Sequence, residues 1–383
     1  MIDRPFWIKK INTTWESRSI IWLSGVRRVG KTTLSKMLPD TVYLNCDLPS
    51  VVRKLEDPES FLKSIPKGST IIFDEIHRLE DPSRILKIAA DEFPDIKVLA
   101  TGSSTLEATR KFKDSLTGRK NVIYLPPVLW DECKEPFNIT DLDFRLRQGG
   151  LPEPLLSQNL DETFFPEWID SFYARDIQEI FNVRNRNGFL KLMQLLFRSS
   201  GNLIEVTQLS KMSGLTRPTV MSYLEAMRIA NMIYLLPPFH GGGRREITQR
   251  PKCYCFDTGF VTFIKGWNEI REDDRGLLWE HVVLDILRVH LQQHQIYYWR
   301  DKSGREIDFV IKRPGNSLDI IECKINPDQI SLAHFKIFRE IYPQGNNFCY
   351  SPFISDPYTL KKNGIKISYI GSIENILLLQ NGK

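Results

Sequence analysis

No part of this sequence reads as a membrane helix: nowhere among its 383 residues does an uninterrupted apolar run approach the roughly 20 residues that a span needs. The start, Met1-Ile2-Asp3-Arg4-Pro5, lacks the apolar core of a secretory signal. Cysteine is sparse and scattered. Cys46, Cys133, Cys253, Cys255, Cys323 and Cys349 include no C-x-x-C pair and no histidine spacing typical of zinc. In a chain of this size that pattern predicts reduced thiols, and together these absences predict a soluble, cytoplasmic protein. Charge of one sign is lacking too. With 52 basic and 47 acidic residues the net charge is +5, so no global basic field advertises nucleic acid, and any such contact must come from a local patch.

What is present is a globular composition, 42% hydrophobic and 26% charged, in a chain too long for one ordinary core. Length points to two or three domains. The first third carries the strongest signal. Ser19 to Leu23 is a β-branched, apolar run that reads as a buried strand. It leads into Gly25-Val26-Arg27-Arg28-Val29-Gly30-Lys31-Thr32-Thr33, which fits the phosphate-binding pattern G-x-x-x-x-G-K-[ST]. The glycines allow backbone angles that turn successive N–H groups toward phosphate oxygens. Lys31 is expected to neutralise the β- and γ-phosphates, and the Thr32 hydroxyl to ligate magnesium. Thr33 to Leu38 continues as a helix whose positive N-terminal end faces the anion.

Thr70-Ile71-Ile72-Phe73-Asp74-Glu75 is a second apolar strand, ending in two adjacent acids. Asp74 is expected to hold magnesium through its water shell, and Glu75 to polarise the attacking water. Thr41 to Asn45 supplies a strand between the two motifs, as alternating βα order requires. Lys97-Val98-Leu99-Ala100-Thr101-Gly102-Ser103-Ser104 is another strand ending in small polar residues. A helical stretch then ends at Thr117-Gly118-Arg119, ahead of a fifth strand, Asn121 to Leu125.

With these residues the chain resembles a large family of bacterial and archaeal AAA+ ATPases that join an AAA-type domain to a C-terminal region of unknown function. The shared wording runs from Gly25–Thr33 through Phe73-Asp74-Glu75, Thr101-Gly102-Ser103-Ser104 and Gly118-Arg119 to Gly149-Gly150-Leu151-Pro152-Glu153 and Tyr173-Ala174-Arg175-Asp176-Ile177. The resemblance implies ATP as the nucleotide. It implies that Ser103, with Thr101 as the rival, senses the γ-phosphate. It also places Arg119 where such ATPases carry a finger that reaches a neighbouring subunit's nucleotide, which would require a homo-oligomer; a solvated arginine after a helix-ending glycine is the plainer reading.

Gly149 to Pro154 is crowded with glycine and proline and reads as a hinge out of the ATPase core. Phe164 to Arg184 reads as a helix with Phe165, Trp168, Ile169, Phe172 and Tyr173 on one face; Arg175 on it either reaches the nucleotide as a lid arginine or pairs with Asp176 or another acid. Leu203 to Leu209, the Gly214 turn, and a helix capped by Thr216 give a helix-turn-helix. Two strands, Met232 to Leu236 and Lys252 to Phe256, flank a glycine-rich wing, His240 to Arg245. Arg217, Arg228, Thr219 and Ser222 on the second helix, with Arg244, Arg245, Arg250 and Lys252 about the wing, are candidate phosphate contacts. Protein docking is the competing use.

The last third shows a helix carrying Glu280, a hairpin with Asp308, and a strand with Glu322 and Lys324 on one face. This is the PD-(D/E)xK pattern. It makes Glu280, Asp308 and Glu322 candidate Mg²⁺ ligands, with Lys324 orienting the water that attacks a phosphodiester. Beyond Ile330 a closing helix and strand are expected, with Tyr358 to Ile365 polar and weakly patterned.

The sequence therefore predicts an α/β chain: a P-loop AAA+ ATPase domain over residues 1–148, a helical lid and winged helix-turn-helix over 149–260, and a nuclease-like α/β domain over 261–383. ATP and Mg²⁺ are the expected cofactors, and turnover is expected to couple to DNA binding or processing. The alternative is a nucleotide-dependent switch whose C-terminal half docks proteins and cuts nothing.

Overall fold

The computed structural model describes residues 2–102, 110–157, 163–178, 181, 183, 185–241, 250–291 and 295–378. Five short strands build the first sheet: β1 (Ile20–Ser24), β2 (Thr41–Asn45), β3 (Thr70–Asp74), β4 (Lys97–Thr101) and β5 (Lys120–Tyr124). They lie in the order β2-β3-β4-β1-β5, and every pairing is parallel. All of β1 is buried, as a central parallel strand covered on both faces must be.

Side-chain alternation along the strands divides the packing. Ile20, Trp22, Ile71, Phe73, Val98 and Ala100 pack with Phe61, Ile85 and Leu86 on one face. Ile21, Leu23, Ile72, Leu99 and Ile123 face the other way, toward Trp7, Ile11 and Trp15 of the Pro5–Trp15 helix. That second core continues without a break through Trp168 and Met227 to Trp279 and Tyr350. The passage at Gly149-Gly150, expected to be a hinge, is packed instead. Gly150 N donates to the Asp257 carboxylate (2.6 Å), and Arg145, buried beside it, donates to Val128 O (2.8 Å).

The expected helix from Phe164 is α-helical over Phe164–Phe172 and widens into a π-helical turn over Tyr173–Gln178; Arg184 lies outside the described residues. The helix Val206–Ser213 ends on Gly214 in the left-handed conformation. The helix Arg217–Ile229 then starts from Thr216, whose hydroxyl accepts from Thr219 N. Strands β6 (Asn202–Leu203), β7 (Ile233–Leu236) and β8 (Lys252–Cys255) form an antiparallel sheet in the order β6-β8-β7. Gly242, Gly243, Arg244 and Arg245 of the expected wing lie outside the described residues.

The last third opens with the Glu272–His290 helix and holds a six-stranded sheet: β9 (Ile296–Arg300), β10 (Glu306–Lys312), β11 (Leu318–Cys323), β12 (Asn347–Tyr350), β13 (Tyr358–Lys362) and β14 (Ile365–Ile370). Its order is β13-β14-β12-β11-β10-β9, with parallel pairing only at β11–β12 and β12–β14. The weakly patterned 358–365 segment turns out to be a β-hairpin. It turns at Asn363-Gly364, both at positive φ, a two-residue signal of that turn type. Among the described residues no helix is long and apolar enough to cross a membrane.

Candidate nucleotide site

The phosphate loop runs from the end of β1 into the Lys31–Ser35 helix. Gly25 sits at φ +150°, and a Cβ there would stand 2.5 Å from Leu125 O, so the loop can hug β5 only with glycine at this position. The loop borders a cavity of about 610 Å³, lined by Gly25 to Arg28 and Gly30 to Thr33, and across from them by Glu75, His77 and Gly102. Lys31 Nζ lies against the loop itself, donating to Gly25 O (2.8 Å) and Val26 O (2.9 Å). Burial pulls its pKa down, while the nearby Glu75 and Asp176 carboxylates push it back up.

Asp74 and Glu75, adjacent in sequence, are set apart by geometry. Asp74 is buried at the end of β3, with Thr101 donating to Oδ1 (2.5 Å) and Tyr43 to Oδ2 (2.5 Å). Burial and this contact raise the Tyr43 hydroxyl well above its ordinary pKa. Glu75 takes a left-handed conformation (φ +56°), unusual for a non-glycine residue, which swings its side chain from the strand to the cavity wall. Its amide donates to Thr101 Oγ1 (3.2 Å), and its carboxylate meets His77 Nδ1 at 3.2 Å. Burial raises the Glu75 pKa, with Lys31 opposing. Ser103 lies outside the described residues. Thr101, its rival, joins both acids.

The far wall comes from residues well downstream: Pro152, Glu153, Leu156, Phe172, Arg175 and Asp176. Trp168 Nε1 donates to Arg27 O (3.2 Å), and Arg27 Nη1 pairs with Asp176 (3.3 Å). Arg175 therefore lines the cavity, and the expected partner Asp176 is taken by the phosphate loop. Burial raises Asp176's pKa, with Arg27 opposing. No sequence motif marks Asp176 or Arg4 for this cavity, because each comes from an element whose position depends on the whole fold. Arg119 lies at the surface, gripping Asp91 at 2.6 and 3.0 Å.

The donor set fits a magnesium nucleotide: a loop of backbone amides, a lysine, a threonine hydroxyl and a carboxylate pair, all nitrogen or hard oxygen. The family comparison agrees. Residues 17–134 match the model of an AAA domain. The first third is an AAA-type domain. Two domains of unknown function come after it, matched over residues 139–271 and 275–354. An uncharacterized protein of Mycobacterium tuberculosis is 23% identical over 327 residues, covering 82% of this chain and 72% of that one. Another, from Methanocaldococcus jannaschii, is 23% identical over 320 residues, covering 75% and 70%. Among solved structures, a Walker-type ATPase of Pyrococcus abyssi is 15% identical with a TM-score of 0.46, covering 69% of this chain and 96% of that one.

The acids of the last third also meet, but as an ion-pair network. Lys252 Nζ contacts Glu280 (2.9 Å) and Glu306 (2.5 Å), and Tyr254 OH donates to the same Glu280 oxygen. Asp308 accepts from Cys323 N (2.8 Å), and Lys324 Nζ lies 2.8 Å from Glu322 and 3.9 Å from Asp308. Among the described residues no group of three or more acids, histidines or cysteines is arranged to hold a metal ion. Of the expected Glu280, Asp308 and Glu322 set, Glu280 is paired with Lys252, while Asp308 and Glu322 both lie beside Lys324. The network corrects Lys252, which is buried and cannot reach a phosphate backbone. Arg228 is held by Glu225 on its own helix (2.6 and 2.7 Å), which neutralises one of the two cations expected on that helix.

Proposed function

We propose that this chain binds Mg-ATP in the 610 Å³ cavity and hydrolyses it. The observation that carries the reading is the phosphate loop facing Glu75 across one cavity, with Lys31 close enough to Glu75 for each to move the other's pKa. In this assignment the loop amides and Lys31 bind the phosphates, and Thr32 and Asp74 hold the metal. Glu75 accepts the proton of the attacking water, and Thr101 fixes the two acids relative to each other. Magnesium, when bound, would supply charge neutralisation on the phosphate oxygens. The test pairs two variants. Lys31→Ala should lose ATP binding, whereas Glu75→Gln should keep ATP and lose about 10²–10⁴-fold in turnover. Normal turnover by Glu75→Gln would refute the assignment.

The domain divisions at 148/149 and 260/261 are retained as units of function, with a winged-helix middle and a restriction-endonuclease-like last third. The helix, left-handed glycine turn, helix and antiparallel strands over 206–255 support a reading in which turnover couples to DNA held near Arg217 and Thr219. The exposed Met212 and Met221 on the same two helices support the other use, docking a protein. Salt separates them: DNA coupling requires stimulation of hydrolysis by DNA that fades steeply between low and physiological salt. The buried Lys252–Glu280–Glu306 network is assigned a structural role, tying β8 to the last domain; DNA cleavage in magnesium by the wild type, lost in Lys324→Ala, would overturn that.

A further inference from the structure

Arg4 brings a buried, unpaired nitrogen to the edge of the phosphate-loop cavity. Arg4 is 4% exposed and forks onto Glu132, with Nε to Oε1 and Nη2 to Oε2 both at 2.8 Å. Glu132 in turn accepts from Leu129 N (3.2 Å), which holds the fork in place. The remaining nitrogen, Nη1, is buried and has no hydrogen-bond partner among the described residues. It lies 3.8 Å from the point where a side chain on Gly30 would begin, and Pro152 lies at the same distance, so this nitrogen abuts the phosphate loop. Arg4 lines the nucleotide cavity.

A buried donor without an acceptor is destabilising, so such a group calls for an explanation, and a ligand acceptor supplies one. Two features decide which part of the nucleotide this is. First, the guanidinium charge is already matched by Glu132 in a bidentate pair, so Nη1 acts as a directed donor and not as a free cation seeking phosphate. Second, the cavity that Arg4 lines is lined as well by Ile2, Met37, Phe137, Pro152 and Leu156, apolar side chains suited to a flat heterocycle. The phosphate-facing groups, Lys31, Thr32 and Glu75, belong to the loop and the end of β3.

We propose that Arg4 is the base-reading residue of this site, donating from Nη1 to a ring-nitrogen or carbonyl acceptor on the nucleobase while Glu132 fixes its orientation. The proposal rests on the nucleotide-binding reading above. Its test compares ATP with inorganic tripolyphosphate, which carries no base, by calorimetry in magnesium on the full chain. Wild type should bind ATP more tightly than tripolyphosphate. Arg4→Lys keeps a cation for Glu132 but loses the third nitrogen. It should bind ATP about 10- to 100-fold more weakly, with tripolyphosphate affinity unchanged within about twofold. Should Arg4→Lys fail to fold, the double variant Arg4→Met, Glu132→Gln removes the buried pair together and gives the same readout. If both ligands weaken alike, or neither weakens, Arg4 does not read the base and the proposal is overturned. Equal affinity of wild type for the two ligands would overturn it as well. Failure of wild type to bind either one would instead bring down the nucleotide reading itself.

Discussion

Thr101 holds the ends of β3 and β4 together through one oxygen, donating to Asp74 and accepting from the Glu75 amide. Its buried position leaves no water to replace it. Thr101→Val, nearly the same shape, removes both hydrogen bonds at once. We expect turnover to fall by about 10²-fold through misplacement of Glu75, with ATP affinity largely kept and stability lowered by about 1–3 kcal/mol. Steady-state hydrolysis and a thermal melt on the same preparation check both. Unchanged turnover would assign the sensing role elsewhere, Ser103 included. Arg27 ties distant parts together in a similar way: it belongs to the phosphate loop yet pairs its charge with Asp176, linking the loop to a segment about 150 residues away in the chain.

At the scale of elements, the Gly149-Gly150 passage joins the AAA domain to the rest of the chain through one buried carboxylate. Asp257 accepts from Gly150 N (2.6 Å) and from Gly259 N (2.7 Å) and stands where any side chain on Gly149 would have to go. Burial raises its pKa, with Arg145 opposing. Asp257→Ala leaves two buried amides unpaired and should cost about 3 kcal/mol, read as a lower denaturant midpoint with the slope unchanged. A midpoint equal to wild type would mean that the passage is a loose hinge after all. Proline and glycine at 149–154 are legible as a chain break, but the sequence does not reveal that the break is clamped, because the clamp comes from position 257. The Phe164 helix is similar: its buried stripe can be read from spacing, whereas the π-helical turn at Tyr173–Gln178, which turns Arg175 and Asp176 toward the cavity, cannot.

For the whole molecule, one apolar core runs from the Pro5–Trp15 helix to Ile376, so the N-terminal helix and the last domain depend on each other. His290, at the end of the Glu272–His290 helix, packs its ring on Phe6 (5.2 Å between centroids), and Lys10 donates to Val289 O (2.8 Å). Burial, with Lys10 adding to it, depresses the His290 pKa to about 4. The group is neutral in the fold, so its contribution is intact above the ordinary histidine value and is lost as pH falls toward 4. The unfolded chain takes up a proton there that the folded chain refuses. Stability should decline by up to about 1.4 kcal/mol per pH unit over that window, and His290→Gln should lose this part of the slope. Equal slopes in chemical denaturation at pH 7 and pH 5 would refute it. Assembly belongs to this scale as well. If Arg119 is a finger acting between subunits, it must exchange Asp91 for a neighbour's nucleotide. Arg119→Ala should then lose about 10³-fold or more in rate, and the wild type's specific activity should rise with protein concentration. A strictly monomeric, fully active wild type would exclude the finger.

Local sequence alone is enough for the strands of the first sheet and for the motif residues at their ends. Five apolar strands, the glycine-hinged loop and the acidic strand end are local patterns, and each is set by residues within a few positions of one another. Whatever depends on residues far apart in the chain had to wait for the fold. Folding seated Arg4 and Asp176 around the same cavity, set Tyr43 against Asp74, and closed the supposed hinge with Asp257. It also brought Lys252 from β8 to Glu280 on the Glu272–His290 helix in a buried ion pair. The difference arises because motif chemistry is written in backbone geometry over a few residues, whereas the partner of a buried charge is settled only when the core packs and brings distant side chains into reach.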